Sequence, residues 1–180
     1  MPRGRREDFP GACHHVMNRG ADRAPIFVDD LDRKRFLIEL RGAAFAGSVH
    51  VICYCLMQNH FHLLLMTPEG GVSRMLQRFS SSYTQAFNRR HRRDGPLFRG
   101  RFRSVVVEDD AQLIQTTLYI HRNPVEAGLA HDAAQWKWSS AAALVGTGEM
   151  PDWLQGDYVL GLLGGVDPRR AYRELLRGPG

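Results

Sequence analysis

The order in which the hydrophobic period of this chain switches between about two and about 3.6 residues constrains its fold more than any other feature. Cys13–Met17 is short and strand-like, and Asn18–Gly20 breaks it. Asp29 or Asp30 can cap a helix through LDRKRFLIELRGAAFA, with Leu37, Leu40 and Ala44 on its buried side, before Gly47 and Ser48 stop it. Val49–Met57 is rich in β-branched and aromatic residues and reads as a strand. Gln58 and Asn59 turn it into a second strand, HFHLLLM, which breaks at Pro68, Gly70 and Gly71. Val72, Met75, Leu76, Phe79, Tyr83, Ala86 and Phe87 then recur at spacings of three and four, which predicts a helix with Arg74, Gln77, Arg78, Ser81, Gln85 and Arg89 on its other face. After a loop with Gly95 and Pro96, RFRSVVVE reads as a strand. Asp109 or Asp110 caps a further helix, DAQLIQTTLYIHRN, which Pro124 is expected to end near Asn123.

The order is β-α-β-β-α-β-α. Its first six elements follow the ferredoxin-like split pattern, βαββαβ: an α+β fold with helices on one face of an antiparallel sheet, and strand one beside strand three. The tail from Trp136 reads as short helices, with Trp138, Trp153 and Tyr158 as packing anchors. The expected organisation is a core over residues 11–130 and a C-terminal helical extension over 131–180 packed on it.

No apolar run is long enough to span a bilayer. The start, MPRGRREDFPG, lacks the apolar core and small-residue cleavage site of a signal peptide. The three cysteines, Cys13, Cys53 and Cys55, offer no even-numbered disulfide framework, so reduced thiols in a cytoplasmic protein are expected. Cys53 and Cys55 read as packing residues. The net charge of +5 favours a polyanionic partner. Lysine occurs only at Lys34 and Lys137, so 22 of the 24 basic residues are arginine. Codon bias accounts for such a ratio but not for where the arginines sit.

Residues two apart in a strand face the same side, so His60 and His62 project together while Phe61, Leu63 and Leu65 project oppositely. Two adjacent imidazoles can converge on one divalent cation. Alone, an HxH pair also describes two histidines satisfied by backbone or water, and a metal site needs a third ligand from elsewhere. On a helical wheel, Leu113, Ile114, Thr117 and Leu118 share one side of the last helix with Ile120 at its edge. Gln112, Gln115, Thr116, Tyr119 and Asn123 share the other. A tyrosine there can be a half-buried surface residue. It can also be a nucleophile, with the Asn123 amide oxygen completing a metal shell one turn further on. A divalent cation can polarise a phosphodiester oxygen while the tyrosine attacks phosphorus. A phenol needs help to ionise, which a metal, Arg122 or His121 could give. His14 or His15 could approach the metal from strand one, although a satisfied histidine or a DNA contact suits them better.

The stretch RRHRRDGPLFRGRFR carries Arg89, Arg90, Arg92, Arg93, Arg99, Arg101 and Arg103 against one acid, Asp94, with Phe98 and Phe102 interleaved. Such a segment can track a phosphate backbone while aromatics stack on unpaired bases; the alternative is a solvated charge run. Arg19, Arg78 and Arg122 join it as candidate DNA contacts.

HVMNRG (15–20), YCLMQNHFHLLL (54–65), GPLFRGRFRSVVVEDD (95–110) and YIHRNPVEAGL (119–129) occur in that order. Together they resemble the single-tyrosine HUH transposases of the IS200-like class, and among them the REP-associated tyrosine transposases. The resemblance runs from about Cys13 to Ser140. It implies a ferredoxin-like nuclease core that cuts and rejoins single-stranded DNA at imperfect palindromic hairpins with a short flanking guide sequence. It also implies His60, His62 and Asn123 as ligands of Mg²⁺ or Mn²⁺, and Tyr119 as the nucleophile that takes the 5′-phosphate and frees a 3′-hydroxyl. Gln58 stands where many relatives have Pro, Phe98-Arg99 replaces a commoner Trp-Gln, and Arg122 replaces a frequent Leu. The Phe98-Arg99 change bears on DNA specificity more than on chemistry.

The expected function is therefore a DNA strand transferase working through a 5′-phosphotyrosine link, as a monomer or homodimer, with single-stranded or hairpin DNA as partner. The alternative is a domesticated module that binds hairpins, or regulates, without productive transposition. A water-activating metal hydrolase would not depend on Tyr119. RNA binding on the sheet would need more sheet-borne aromatics than this chain offers.

Overall fold

The computed structural model of the chain describes residues 8–178, so the signal-peptide reading of the first residues lies mostly outside it. Four strands, β1 (Ala12–Arg19), β2 (His50–Leu56), β3 (His60–Thr67) and β4 (Arg103–Val107), form one sheet in the order β2-β3-β1-β4. Every pairing is antiparallel. With α1 (Asp30–Ala46) and α2 (Val72–His91) as the two crossovers, this is the ferredoxin-like βαββαβ arrangement. The α3 helix (Asp110–Glu126) follows, and then α4 (Ala141–Val145), α5 (Asp157–Leu163) and α6 (Pro168–Arg177). No helix among the described residues is long and apolar enough to cross a membrane.

The pleat sorts the sheet into two faces. Phe61 turns toward α1 and α2, where it meets Phe36, Phe79 and Phe98. Phe36 in turn packs edge-on against Phe79 at 4.7 Å and Tyr83 at 5.0 Å. The Tyr83 hydroxyl, buried in this cluster, donates to Ile26 O. His60, His62 and Leu64 point to the other face, which α3 covers.

Asp29, one of the two residues expected to cap α1, accepts from the N–H groups of Leu31 and Asp32. The expected ends of two elements are corrected. The β1 ladder runs past Met17 to Arg19, because backbone pairing with β3 tolerates polar side chains at the sheet end. Gly20 then ends it: a Cβ there would lie 2.0 Å from Ala24 O. The α3 helix does not stop at Asn123 but runs through Pro124 to Glu126. Proline costs only one donor so close to a helix end, and the carbonyls of Asn123 and Pro124 still accept from Ala127 and Leu129.

The tail closes the free edge of β2. Leu56 N–H donates to Trp138 O, Ser140 N–H to Tyr54 O and Gln155 N–H to Val51 O. An edge strand that could pair with another chain is thereby covered. One hydrophobic cluster extends from the sheet into Leu144, Leu154, Val159 and Tyr172, so packing is continuous across residue 130. Trp138 is buried and Trp153 stacks on Tyr54 at 5.8 Å. Tyr158 is not the anchor expected: it is 41% exposed, and Tyr172 is the fully buried tyrosine of the tail.

Candidate active site

Sheet register assembles one end of this site. Arg19 lies opposite His60 and Met17 opposite His62 across the β1–β3 pair, so Arg19 and the two imidazoles share the α3 face. The rings of His60 and His62 are 5.2 Å apart and nearly perpendicular.

Each ring is oriented through its Nδ1. His60 Nδ1 lies 2.8 Å from Asn59 Oδ1, and the Asn59 amide is itself oriented by donating to Arg23 O. His62 Nδ1 lies 3.0 Å from His15 Nε2, with the rings stacked. When both Nδ1 atoms carry the proton, both Nε2 atoms present lone pairs. Burial holds all three histidines in the neutral form. Desolvation, with His15 and His60 nearby, takes His62 down to about 3. Desolvation and the charge of Arg103 take His15 down to about 4. Desolvation also lowers His60, against a hydrogen bond with Asn123.

Tyr119 and Asn123 come from the polar side of α3. Tyr119 is 46% exposed, and its ring meets those of His62 and His15 edge-on at 5.7 and 5.8 Å. Asn123 Nδ2 donates to Tyr119 O at 2.9 Å, which turns Oδ1 toward the His60 ring. His60, His62, Tyr119 and Asn123, from two distant segments, thus form one cluster. Among the described residues, no group of three or more His, Cys, Asp or Glu side chains could hold a metal. Two neutral imidazole nitrogens and an amide oxygen are the donors here that could hold a small divalent cation, and nitrogen suits Mn²⁺ better than Mg²⁺.

The cluster opens into a cleft of about 770 Å³ lined by His60, His62, Asn18, Asn59 and the arginines Arg19, Arg23, Arg99, Arg101 and Arg103. Arg19, Arg99, Arg101 and Arg103 were expected to contact DNA; Arg23 and Asn59 were not singled out. An amide directly before HxH was the available signal for Asn59. Arg23 gave none, since it reaches the cleft through a turn.

Other candidates lie elsewhere. Arg78 and Arg89 are exposed on α2, across the sheet from the histidines, and Arg92 and Arg93 are exposed at its end. Arg90 is taken by the Asp29 and Asp32 carboxylates, at 2.5 and 2.6 Å. Its hydrogen bond holds Asp29 down to about 2. Burial alone would raise the Asp32 carboxyl, but hydrogen bonds from His91, Val28 N–H and Arg90 keep it low. Phe98 is buried against Phe61 and Tyr83 and has no face left for a base. Arg122 turns away to the carbonyls of Leu175 and Leu176. His121 is fully buried between Tyr172 Oη and Ser140 Oγ, and desolvation takes it down to about 3, so it offers no charge to Tyr119. His14 is satisfied by Thr67 and Ser104, whereas His15 reaches the cluster through His62. Cys53 and Cys55 are buried free thiols; desolvation pushes Cys55 up to about 12.

Comparison with known proteins bears on this cluster. The sequence family described as "Transposase IS200 like" matches residues 10–123, a span that ends on Asn123. A Haemophilus influenzae protein named as a REP-associated tyrosine transposase is 26% identical over 157 residues, covering 78% of this chain and 85% of that protein. A solved structure described as a REP-associated tyrosine transposase bound to a REP hairpin superposes with a TM-score of 0.70. Its identity is 18%, over 84% of this chain and 89% of that one, so it shows the shared fold. A Deinococcus radiodurans structure described as a transposase reaches only 0.46, at 17% identity over 68% of this chain and 95% of that one.

Proposed function

The chain belongs to the IS200-like transposase family, and from that premise we propose that it cuts and rejoins single-stranded DNA at palindromic hairpins, with Tyr119 as the nucleophile. One observation carries the reading: an exposed tyrosine stands over a pair of neutral, oriented histidines at the end of an arginine-lined cleft. Hairpin DNA is the substrate class to test because the relative that shares this fold is described as bound to one.

Arg19, Arg99, Arg101 and Arg103 seat the phosphate backbone in the cleft. Tyr119 Oη attacks phosphorus, its proton leaves, and the bond from phosphorus to the 3′ oxygen breaks. The 3′ oxygen takes a proton and departs as a hydroxyl, leaving the 5′-phosphate on the tyrosine. The link conserves the bond energy, so attack by a 3′-hydroxyl reverses it without ATP. Arg103, whose charge is felt at His15, is the arginine of the cleft placed to meet a phosphate oxygen beside the cluster. Asn59 and His15 keep His60 and His62 turned with Nε2 toward the reacting phosphate. A divalent cation, Mn²⁺ or Mg²⁺, held by those nitrogens and by Asn123 Oδ1, would polarise a phosphate oxygen and stabilise the charge that develops there.

The test is incubation of hairpin oligonucleotides with the protein and Mn²⁺ or Mg²⁺. An adduct that survives denaturing electrophoresis should form, and Tyr119→Phe should abolish it while hairpin binding stays within about twofold. Cleavage that persists in Tyr119→Phe, or its absence with either metal on every flanked hairpin tried, would sink the reading.

A further inference from the structure

Arg122, Arg173 and Arg177 converge on a second cavity, of about 530 Å³, between the end of α3, the turn at Ala133–Gln135, α4 and α6. None of the three forms an ion pair with a carboxylate among the described residues. Arg122 and Arg173 donate only to backbone carbonyls, at Leu175, Leu176 and Val145. Arg173 Nε is shut off from solvent with no partner at all. Two acids share this wall without pairing to the three arginines: Glu126, and Asp132, whose Oδ1 accepts from Ala134 N–H.

We propose that this cavity seats a phosphodiester of the single strand that runs on from Tyr119, an inference that rests on the DNA-cutting reading above. Three guanidiniums without counter-ions offer the planar forks that phosphate oxygens match. Val125, Ala134, Val145 and Leu176 give the cavity an apolar wall for a sugar or base edge. Its size is within the range of pockets that hold a nucleotide-sized group. Its position suits a continuing strand. Val125 lies six residues beyond Tyr119 on α3, roughly 9 Å along the axis, a distance that a short stretch of single strand covers. Arg122, expected to touch DNA at the tyrosine, would then do so one turn away, at this second seat.

The experiment compares two oligonucleotides, a bare hairpin and the same hairpin with a single-stranded flank. Binding is followed by fluorescence anisotropy over a range of salt concentrations without added metal. Arg177→Gln is the primary variant, because Arg177 is exposed and makes no hydrogen bond among the described residues. It should weaken the flanked hairpin several-fold and lower the slope of log affinity against log salt by about 0.7, while the bare hairpin is unchanged. Arg173→Lys, which keeps the charge but not the fork, should lose part of the flank-dependent affinity, and Arg173→Gln should lose more. A thermal melt shows which variants are folded, and Arg177→Gln decides alone if Arg173→Gln is not. The proposal is overturned if flanked and bare hairpins respond alike. It is equally overturned if Arg177→Gln changes neither oligonucleotide, and a loss of millimolar inorganic phosphate binding in that variant alone would mark a small-anion site instead. A wild-type protein that binds neither oligonucleotide overturns the DNA reading itself, which separates that failure from this one.

Discussion

His62 takes its ring orientation from His15, 47 residues earlier, and this pairing is where residue-level reasoning gains most from the structure. The strand period alone puts His60 and His62 on one face, and helical spacing alone puts Tyr119 and Asn123 on another. Those readings need only local geometry, so they were legible. The His15 contact depends on the β1–β3 register, which no local pattern fixes, so His15 could be placed near the site but not given a task. Its expected effect is on metal binding. With the hydrogen bond removed, the His62 ring is free to turn and Nε2 is no longer held. His15→Ala should weaken Mn²⁺ binding about 10- to 100-fold, the usual range for losing such an outer partner. Isothermal titration without DNA reads this directly. His15→Gln keeps a hydrogen-bonding group and should recover part of the loss, while hairpin affinity without metal stays unchanged. Equal Mn²⁺ affinity in wild type and His15→Ala would remove the assignment.

At the scale of elements, α3 shows both what periodicity reveals and what it hides. Its buried side (Leu113, Thr117, Leu118) and its polar side were readable from the wheel. Its end was not, because a proline rule weighs the missing N–H without knowing that the helix was about to finish. Its start is a reciprocal cap: Asp109 Oδ1 accepts from Gln112 N–H at 2.7 Å, and the Gln112 side chain accepts from Glu108 N–H. Asp109→Ala should cost about 1 kcal/mol in urea unfolding. It should leave the Tyr119 adduct largely intact, since the lost bond lies about two turns from the tyrosine. A loss of adduct without loss of stability would show that the cap does more than hold the helix. The arginine stretch teaches the opposite lesson. Charge and aromatic content marked it as one DNA-binding strip, but the chain divides it. Arg99, Arg101 and Arg103 line the cleft, Arg90 ties α2 to the first turn of α1, and Phe98 joins the core. Composition reports how many arginines there are, and only tertiary contacts decide which carboxylates consume them.

For the whole molecule, the C-terminal extension matters because it completes the sheet and grips the helix that carries Tyr119. The βαββαβ order and the existence of the tail followed from the sequence. The grip did not, because His121, Ser140 and Tyr172 meet only after three separate elements have packed. His121 Nδ1 and Nε2 bond Tyr172 Oη and Ser140 Oγ at 2.7 and 2.8 Å in a site with no solvent. Desolvation therefore takes His121 from an unfolded value near 6.5 down to about 3 in the folded chain. The unfolded chain then binds a proton there at a pH where the folded chain does not. The stabilising contribution is complete above about 6.5 and is lost as the pH falls from there through about 3. One such group gives a slope of up to about 1.4 kcal/mol per pH unit inside that window. His15 and His62, also held neutral by burial, add to the same acid loss, so the wild type should fall with a slope of more than one proton. His121→Asn removes one titrating group and keeps part of the hydrogen bonding. Urea unfolding at pH 7, 6, 5 and 4.5 should show the variant less stable at pH 7 but with a shallower decline, so that the two curves approach each other toward acid. Parallel curves would mean that His121 is not neutral in the folded state, and the grip of the tail on α3 would have to rest on the Arg122 contacts instead.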